Sequence, residues 1–214
     1  MQPNVQAARD ALAHLDIDEN PASLKAKSRD FFWYSPVLKA RMDHLQGDFV
    51  VAPRTEAEVI EVLRTCYAHD VPVTTRGAGT GNYGQAMPLA GGCILHTRNL
   101  AKVKEVHPGR VIVEPGCLLK DLDAECINRS AQEIRMFSST WATATIGGFI
   151  AGGSGGVGSC TWGSLRDLGN IIRLRVVTME AEPRVLESRG EELARVSHAY
   201  GTNGIITEVE IPLA

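Results

Sequence analysis

Arg76-Gly77-Ala78-Gly79-Thr80-Gly81-Asn82-Tyr83-Gly84-Gln85 and Thr145-Ile146-Gly147-Gly148-Phe149-Ile150-Ala151-Gly152-Gly153-Ser154-Gly155-Gly156-Val157-Gly158-Ser159 are the two stretches whose reading decides the fold. Glycine lets a backbone approach an anion closely and aim successive N–H groups at it. One such loop is common. Two of them, each edged by apolar strand-like sequence, point to a long phosphate-bearing ligand held between two subdomains, and a dinucleotide fits that description. The second stretch is not a flexible linker, because Ile146, Phe149 and Ile150 are interleaved in it and a linker carries no residues meant for burial.

Working outward, Phe49-Val50-Val51-Ala52 reads as a buried strand stopped by Pro53. Thr55 and Glu58 fit a capping box, in which each side chain satisfies a free N–H at a helix start. Val59, Val62, Leu63, Cys66 and Tyr67 follow with helical spacing until His69-Asp70,. Residues 71–75 form the strand that feeds the first glycine loop, and Cys93-Ile94-Leu95-His96 forms the next. This is a β-α-β unit with a small parallel sheet. Downstream, strands over 103–107 and 111–113 flank the Pro108-Gly109 turn,. A helix over 118–130, the second glycine loop, a strand over 171–178, a turn into residues 184–186, a short helix over 191–197 and a final strand over 205–211 complete the pattern. The expected class is α+β: a small parallel β-α-β unit and a mostly antiparallel sheet with flanking helices, the ligand bound between them. Residues 1–47 form an N-terminal helical segment, with Val5, Ala8, Leu12 and Leu15 on one face over residues 4–15; 48–102 form the first subdomain and 103–214 the second. The aromatic run Phe31-Phe32-Trp33-Tyr34-Ser35-Pro36 is expected to plug a core edge or, alternatively, to touch a ligand.

The composition excludes several classes. A formal net charge of -3 gives no basic footprint for nucleic acid or for anionic membranes,. Cys66, Cys93, Cys117, Cys126 and Cys160 are odd in number and lack metal-type spacing, which reads as small apolar residues in a reduced compartment. No metal site is expected. The N-terminus has no secretory pattern and no run of about 18 apolar residues occurs; the cytoplasm is the expected location.

Gly79-Thr80-Gly81-Asn82-Tyr83-Gly84 matches GxGxxG after a strand, but the Rossmann context is missing. That motif opens a helix and has an acidic residue about 20 positions on. Here Pro88 and Gly91-Gly92 interrupt the next stretch, and no Asp or Glu occurs between Gln85 and Glu105. A Walker loop fails because no Gly-Lys-Ser/Thr occurs,.

Four ordered segments carry a different likeness: Val73-Thr74-Thr75-Arg76-Gly77-Ala78-Gly79-Thr80, Val113-Glu114-Pro115-Gly116, Ala144-Thr145-Ile146-Gly147-Gly148-Phe149-Ile150-Ala151 and Tyr200-Gly201-Thr202-Asn203-Gly204-Ile205-Ile206-Thr207. In these the chain resembles the FAD-binding domain of the vanillyl-alcohol oxidase / p-cresol methylhydroxylase superfamily, in its glycolate oxidase / D-lactate dehydrogenase-like branch, from about residue 48 to the end. The resemblance implies that Gly77, Ala78, Gly79, Thr80 and Gly81 wrap the FAD pyrophosphate, and that Ser138, Ser139, Thr140, Thr145, Gly147 and Gly148 continue the cradle. It places Pro115, Gly116, Gly204, Ile205 and Ile206 near the adenine end, and Asn82, Gly84 and Gln85 toward the ribityl chain and ring. Ile150, Ala151, Gly155, Gly158 and Ser159 would follow the cofactor along the second loop. Arg76 either offsets phosphate charge or pairs with a nearby carboxylate.

Members that attach flavin covalently through the first loop carry histidine where this chain has Thr80, so noncovalent FAD is expected; Cys160 does not match a cysteinyl link. Relatives often carry asparagine where this chain has Gly153. The resemblance implies oxidation of a 2-hydroxy acid such as glycolate or D-lactate, and in relatives the groups that act on it lie mainly on a second, substrate-binding domain. The chain stops at Pro212-Leu213-Ala214, where the FAD domain would end, so the expectation is an excised domain, a truncation or one subunit of a split oxidoreductase. Such a portion would expose an apolar flavin edge and form a homodimer through it. His69, His96 and His107 fall in no catalytic constellation, and no catalytic residue is assigned. The alternative is a non-catalytic nucleotide- or partner-binding module on the same fold.

Overall fold

The structure of the chain, a computed structural model, describes residues 1–31, 33 and 35–214. They divide into two compact units, Met1–Asn99 with Thr178–Arg184, and Leu100–Val177 with Val185–Ala214.

The first unit begins with α1 (Pro3–Ala11), which buries Val5 and Ala8. Leu12 is also buried, but the chain turns there, so the helix expected to reach residue 15 ends early. A two-residue strand β1 (Ile17–Asp18) leads to α2 (Pro21–Lys27), whose N-terminal N–H groups of Ala22 and Ser23 donate to the Asn20 side chain. α3 (Pro36–Met42) is capped by Ser35. β2 (Phe49–Val51), α4 (Glu56–Ala68), β3 (Val73–Arg76) and β4 (Cys93–His96) then build the β-α-β core. Thr55 caps α4 by accepting from the Glu58 N–H, while the Glu58 carboxylate reaches back to the Arg54 N–H. The sheet order is β1-β2-β4-β3; β4 is parallel to both neighbours and β1 pairs antiparallel to β2. β2 and the first three residues of β4 are buried on both faces, the environment that all-apolar parallel strands require. The aromatic run after α2 lies partly outside the described residues, which omit Phe32 and Tyr34. Its described members Phe31 and Trp33 are exposed rather than plugging a core edge.

The second unit contains β5 (Val103–His107), β6 (Arg110–Val113), α5 (Leu119–Ser130), α6 (Ile146–Gly152), α7 (Ser159–Trp162), β7 (Arg173–Val177), β8 (Val185–Arg189) and β9 (Ile205–Pro212). Its sheet runs β5-β6-β9-β7-β8 and is antiparallel throughout. Alternation sends Val111, Val113, Leu174, Val209 and Ile211 into one core with Leu119, Leu122 and Cys126 of α5 and Ile146, Phe149 and Ile150 of α6,. Other positions of the same strands carry charge. Arg173 bonds Glu210 at 3.0 Å and Glu208 at 2.5 Å, Arg110 bonds Glu210 at 2.8 Å, and Lys104 bonds Glu208 at 2.6 Å. Two expectations change here. Half of the second glycine stretch is not loop but helix α6, and the short helix expected over 191–197 is a 3-10 turn, Gly190–Arg195.

Candidate functional site

β3 ends at Arg76, and the chain then turns without regular structure through residues 77–82. Among the described residues, none of the main-chain N–H groups of Ala78, Gly79, Thr80, Gly81 and Asn82 has a protein hydrogen-bond partner. Five consecutive donors left free in a half-buried loop are what a diphosphate needs and what a protein otherwise avoids. Gly79 has φ +70°, and a Cβ there would overlap the Arg76 guanidinium. Arg76 is buried and donates to the main-chain carbonyls of Arg29 and Ala78. Burial lowers its affinity for a proton, while the charge of Asp30 opposes that. In the structure its hydrogen bonds go to carbonyls, and Asp30 is the nearby carboxylate whose charge acts on it. The loop is further fixed by Asp30, which is buried and accepts the Gly84 N–H at 2.9 Å, and by the Phe31 N–H, which donates to the Gly81 carbonyl. Gln85 accepts from the Tyr83 N–H at 2.9 Å, and Asn82 points outward as an exposed residue.

In the second unit, the residues expected to continue the cradle divide into two groups. The start of α6 is closed by protein: the N–H groups of Ile146, Gly147 and Gly148 donate to the Cys117 carbonyl, the Pro115 carbonyl and the Thr145 hydroxyl. A Cβ on Gly147 would stand 2.5 Å from that of Pro115, so this glycine serves close packing. The Gly116 N–H donates to the Leu100 carbonyl at 2.7 Å. Ser138, Ser139 and Thr140 are different. Their N–H groups have no protein partner among the described residues, and the hydroxyls of Ser138 and Thr140 lie 3.1 Å apart. Phe137, just before them, bridges to Val157 of the second glycine stretch. Gly155 is exposed; Gly158, with Ser159 beside it, starts α7, and the Ser159 hydroxyl donates to the Gly156 carbonyl. Ile150, Ile205 and Ile206 are buried side chains of α6 and β9, with Ile150 and Ile206 in the main core cluster; Ala151 is partly buried against it. Gly204 packs with 2.5 Å from a Cβ to Val176.

Sequence reading missed Asp30 and the pair His198 and Tyr200. Both members of that pair have left-handed backbones, φ 59° and 53°. Their N–H groups donate to the Ile150 and Ala151 carbonyls at 3.0 Å each, closing the end of α6. Their side chains meet, His198 Nε2 to the Tyr200 hydroxyl at 2.8 Å. A Cβ on Gly153 would overlap the His198 ring. No sequence signal marks the pair, because a left-handed backbone at a residue other than glycine shows only in the structure,. Of the cysteines, Cys66, Cys93, Cys117 and Cys126 are buried and Cys160 is exposed. Burial pushes the Cys117 thiol up to about 12 and the Cys126 thiol to about 11, which leaves neither reactive. Among the described residues, no group of three or more His, Cys, Asp or Glu side chains could hold a metal ion, and no helix is long and apolar enough to cross a membrane.

The model of a family described as "FAD binding domain" matches residues 47–187. The glycolate oxidase subunit GlcD of Bacillus subtilis (strain 168) is 30% identical over 182 residues, 78% of this chain and 37% of that protein. The mitochondrial D-lactate dehydrogenase [cytochrome] of Arabidopsis thaliana is 32% identical over 177 residues, 78% of this chain and 30% of that protein. The chain thus spans about a third of the length of the curated relatives it matches. Among solved structures, an alkyldihydroxyacetonephosphate synthase superposes with a TM-score of 0.84 at 18% identity, over 100% of this chain and 44% of that one. Physcomitrella patens BBE-like 1 gives 0.77 at 16% identity, over 97% and 44%. At these identities the likeness concerns the fold. By the family match and the order of its motifs, the chain belongs to the FAD binding domain family of the vanillyl-alcohol oxidase / p-cresol methylhydroxylase superfamily, whose cofactor is FAD.

Proposed function

We propose that this chain is the FAD-binding portion of a flavin-dependent oxidoreductase, holding FAD noncovalently, whose substrate is a 2-hydroxy acid of the glycolate or D-lactate type. The observation that carries the cofactor site is the run of five N–H groups from Ala78 to Asn82 without a partner among the described residues. The substrate class rests on relatives named glycolate oxidase subunit and D-lactate dehydrogenase at 30% and 32% identity. Bound FAD would supply the redox chemistry, accepting a hydride from the hydroxyl-bearing carbon. The chain's own residues bind and orient. The N–H groups of residues 78–82 hold phosphate oxygens; the Arg76 guanidinium beneath Gly79 adds positive potential to the same loop. The N–H groups and hydroxyls of Ser138 and Thr140 offer a second set of donors. Thr80 has no nucleophilic nitrogen, which supports noncovalent attachment. We read 48–102 and 103–214 as the two FAD-binding subdomains, 1–47 as the N-terminal helical segment, and the cytoplasm as the location. The 2-hydroxy acid would be bound with a further domain or subunit. The exposed flavin edge would be the face through which isolated chains pair as a homodimer, and Trp141, Val157, Trp162 and Leu168 are exposed apolar residues of the second unit,.

FAD titration of the purified chain, followed by flavin absorbance and fluorescence with FMN and NAD as controls, tests this reading. Gly79→Val and Gly147→Val would disturb packing, so Gly81→Ala is the better variant: its Cβ meets only the tip of Gln85 closely, at 2.8 Å. The expected result is saturable FAD binding, released intact by acid precipitation, weakened about tenfold (~1.4 kcal/mol) in Gly81→Ala with the fold unchanged. A folded chain that binds no FAD overturns it.

A further inference from the structure

His96 ends β4 in register with Arg76 of β3, so its ring stands at the root of the loop that opens at Gly77. The Nδ1 atom of that ring is buried and has no hydrogen-bond partner among the described residues. A buried polar atom left unpaired is costly and calls for an explanation. The charges around it supply one. Arg76 from β3, Lys27 from the end of α2 and Arg98 from the 3-10 turn Thr97–Asn99 all act on the ring, and all are cations. The carboxylates in the neighbourhood are committed elsewhere: Asp18 bonds Lys27 at 2.9 Å, and Asp30 holds the Gly84 N–H and faces Arg76. Burial and the three cations together push the imidazole down to about 4, against the Gly77 main chain, which favours the charged ring. Burial first, and the three cations after it, thus keep the ring neutral. The five N–H groups of residues 78–82, without partners among the described residues, mark where a negative charge would arrive.

We propose that His96 is a proton-linked positioning residue: when the diphosphate of a dinucleotide settles on residues 78–82, the imidazole takes up one proton from solvent and the charged ring steadies the loop through the main chain of Gly77. This rests on the FAD reading of the same loop. An added anion favours the charged form of a neighbouring base, and a proton gained on binding means that affinity falls as pH rises. The window opens above about 4, where the free ring loses its proton, and closes at the higher value of the complex. Within it, uptake of a full proton changes affinity about tenfold per pH unit.

The test is FAD binding to the full 214-residue chain by calorimetry in two buffers of different ionisation heat, and by titration across roughly pH 5 to 8, where imidazoles respond. The wild-type chain is expected to take up close to one proton and to bind more weakly at higher pH. His96→Gln should still bind but with a flat pH profile. Arg98→Gln should raise the free imidazole toward its ordinary value and shrink the uptake. In ring nitrogen NMR near neutral pH, the His96 signals should move toward the imidazolium position only when FAD is added. FAD binding without proton uptake, or an equal pH slope in His96→Gln, overturns the proposal and leaves the cofactor reading standing. A folded chain that binds no FAD at any pH overturns both.

Discussion

Asp30 shows how much one side chain can hold. It is buried, it accepts the Gly84 N–H at 2.9 Å, and its charge faces the buried guanidinium of Arg76. Removing its charge with Asp30→Asn is expected to cost about 1–3 kcal/mol, read by urea unfolding, because the buried Arg76 cation loses its facing charge and the Gly84 N–H keeps only a neutral acceptor. Nothing in the sequence marked it: a lone acid before an aromatic run has no pattern, and its partner lies 54 residues away. Gly79 was legible because its role is local, a close approach in a loop. Gly153 was half legible. Its φ of +61° ends α6 in the left-handed region, which both glycine and asparagine tolerate. What replaces an asparagine side chain here is the His198 ring. Gly153→Asn alone should therefore destabilise the chain, and His198→Gly, at a position with φ 59°, should relieve it. A double-mutant cycle by thermal unfolding should show coupling above about 0.5 kcal/mol; strict additivity would refute the contact.

At the scale of elements, patterns of period two and of helical spacing carried well. β2, α4, β4, β5, β6 and α5 stand within about two residues of their expected places, because each buries a face its own sequence defines. α6 was not legible. Ile146-Gly147-Gly148 has poor helix propensity, but the Thr145 cap and the fit of Gly147 on Pro115 decide the matter,. β1, two residues long, offers too little sequence to recognise. Ion pairs across strands were equally invisible. Arg173, nearly buried, satisfies Glu210 and Glu208 together. Arg173→Met is expected to destabilise by about 1–3 kcal/mol, since Glu210 and Glu208 each lose a charged donor and keep Arg110 and Lys104,; chemical denaturation measures it. Acid should act on the same kind of link. The hydroxyl of Ser23 and the ammonium of Lys27 hold Asp18 down to about 2. Burial raises Glu208, but bonds from Lys104 and Arg173 outweigh it and leave it below its ordinary value. Carboxyls lowered on folding add stability above the ordinary carboxylate range, and that stability is lost as pH falls through their folded values. A pH series of unfolding midpoints should decline in that acid window, and less steeply in Asp18→Asn.

For the molecule as a whole, a ligand that binds only the folded chain should stabilise it in proportion to its occupancy. FAD at about a hundred times its dissociation constant is expected to add ~2.7 kcal/mol, seen as a rise in melting temperature that NAD at equal concentration does not give. The order of four motifs was readable because a family keeps its order. The return of Thr178–Arg184 to the first unit was not, since it depends on contacts far apart in sequence. The first unit takes in Thr178–Arg184, while the residues on either side, through Val177 and from Val185, belong to the second. The polypeptide therefore passes from one unit to the other three times, after Asn99, after Val177 and after Arg184. Neither unit is a continuous stretch of gene. A recombination event with a single crossover would break at least one of them, so the two must be inherited as one block, and any chimera made with a relative has to respect all three junctions at once.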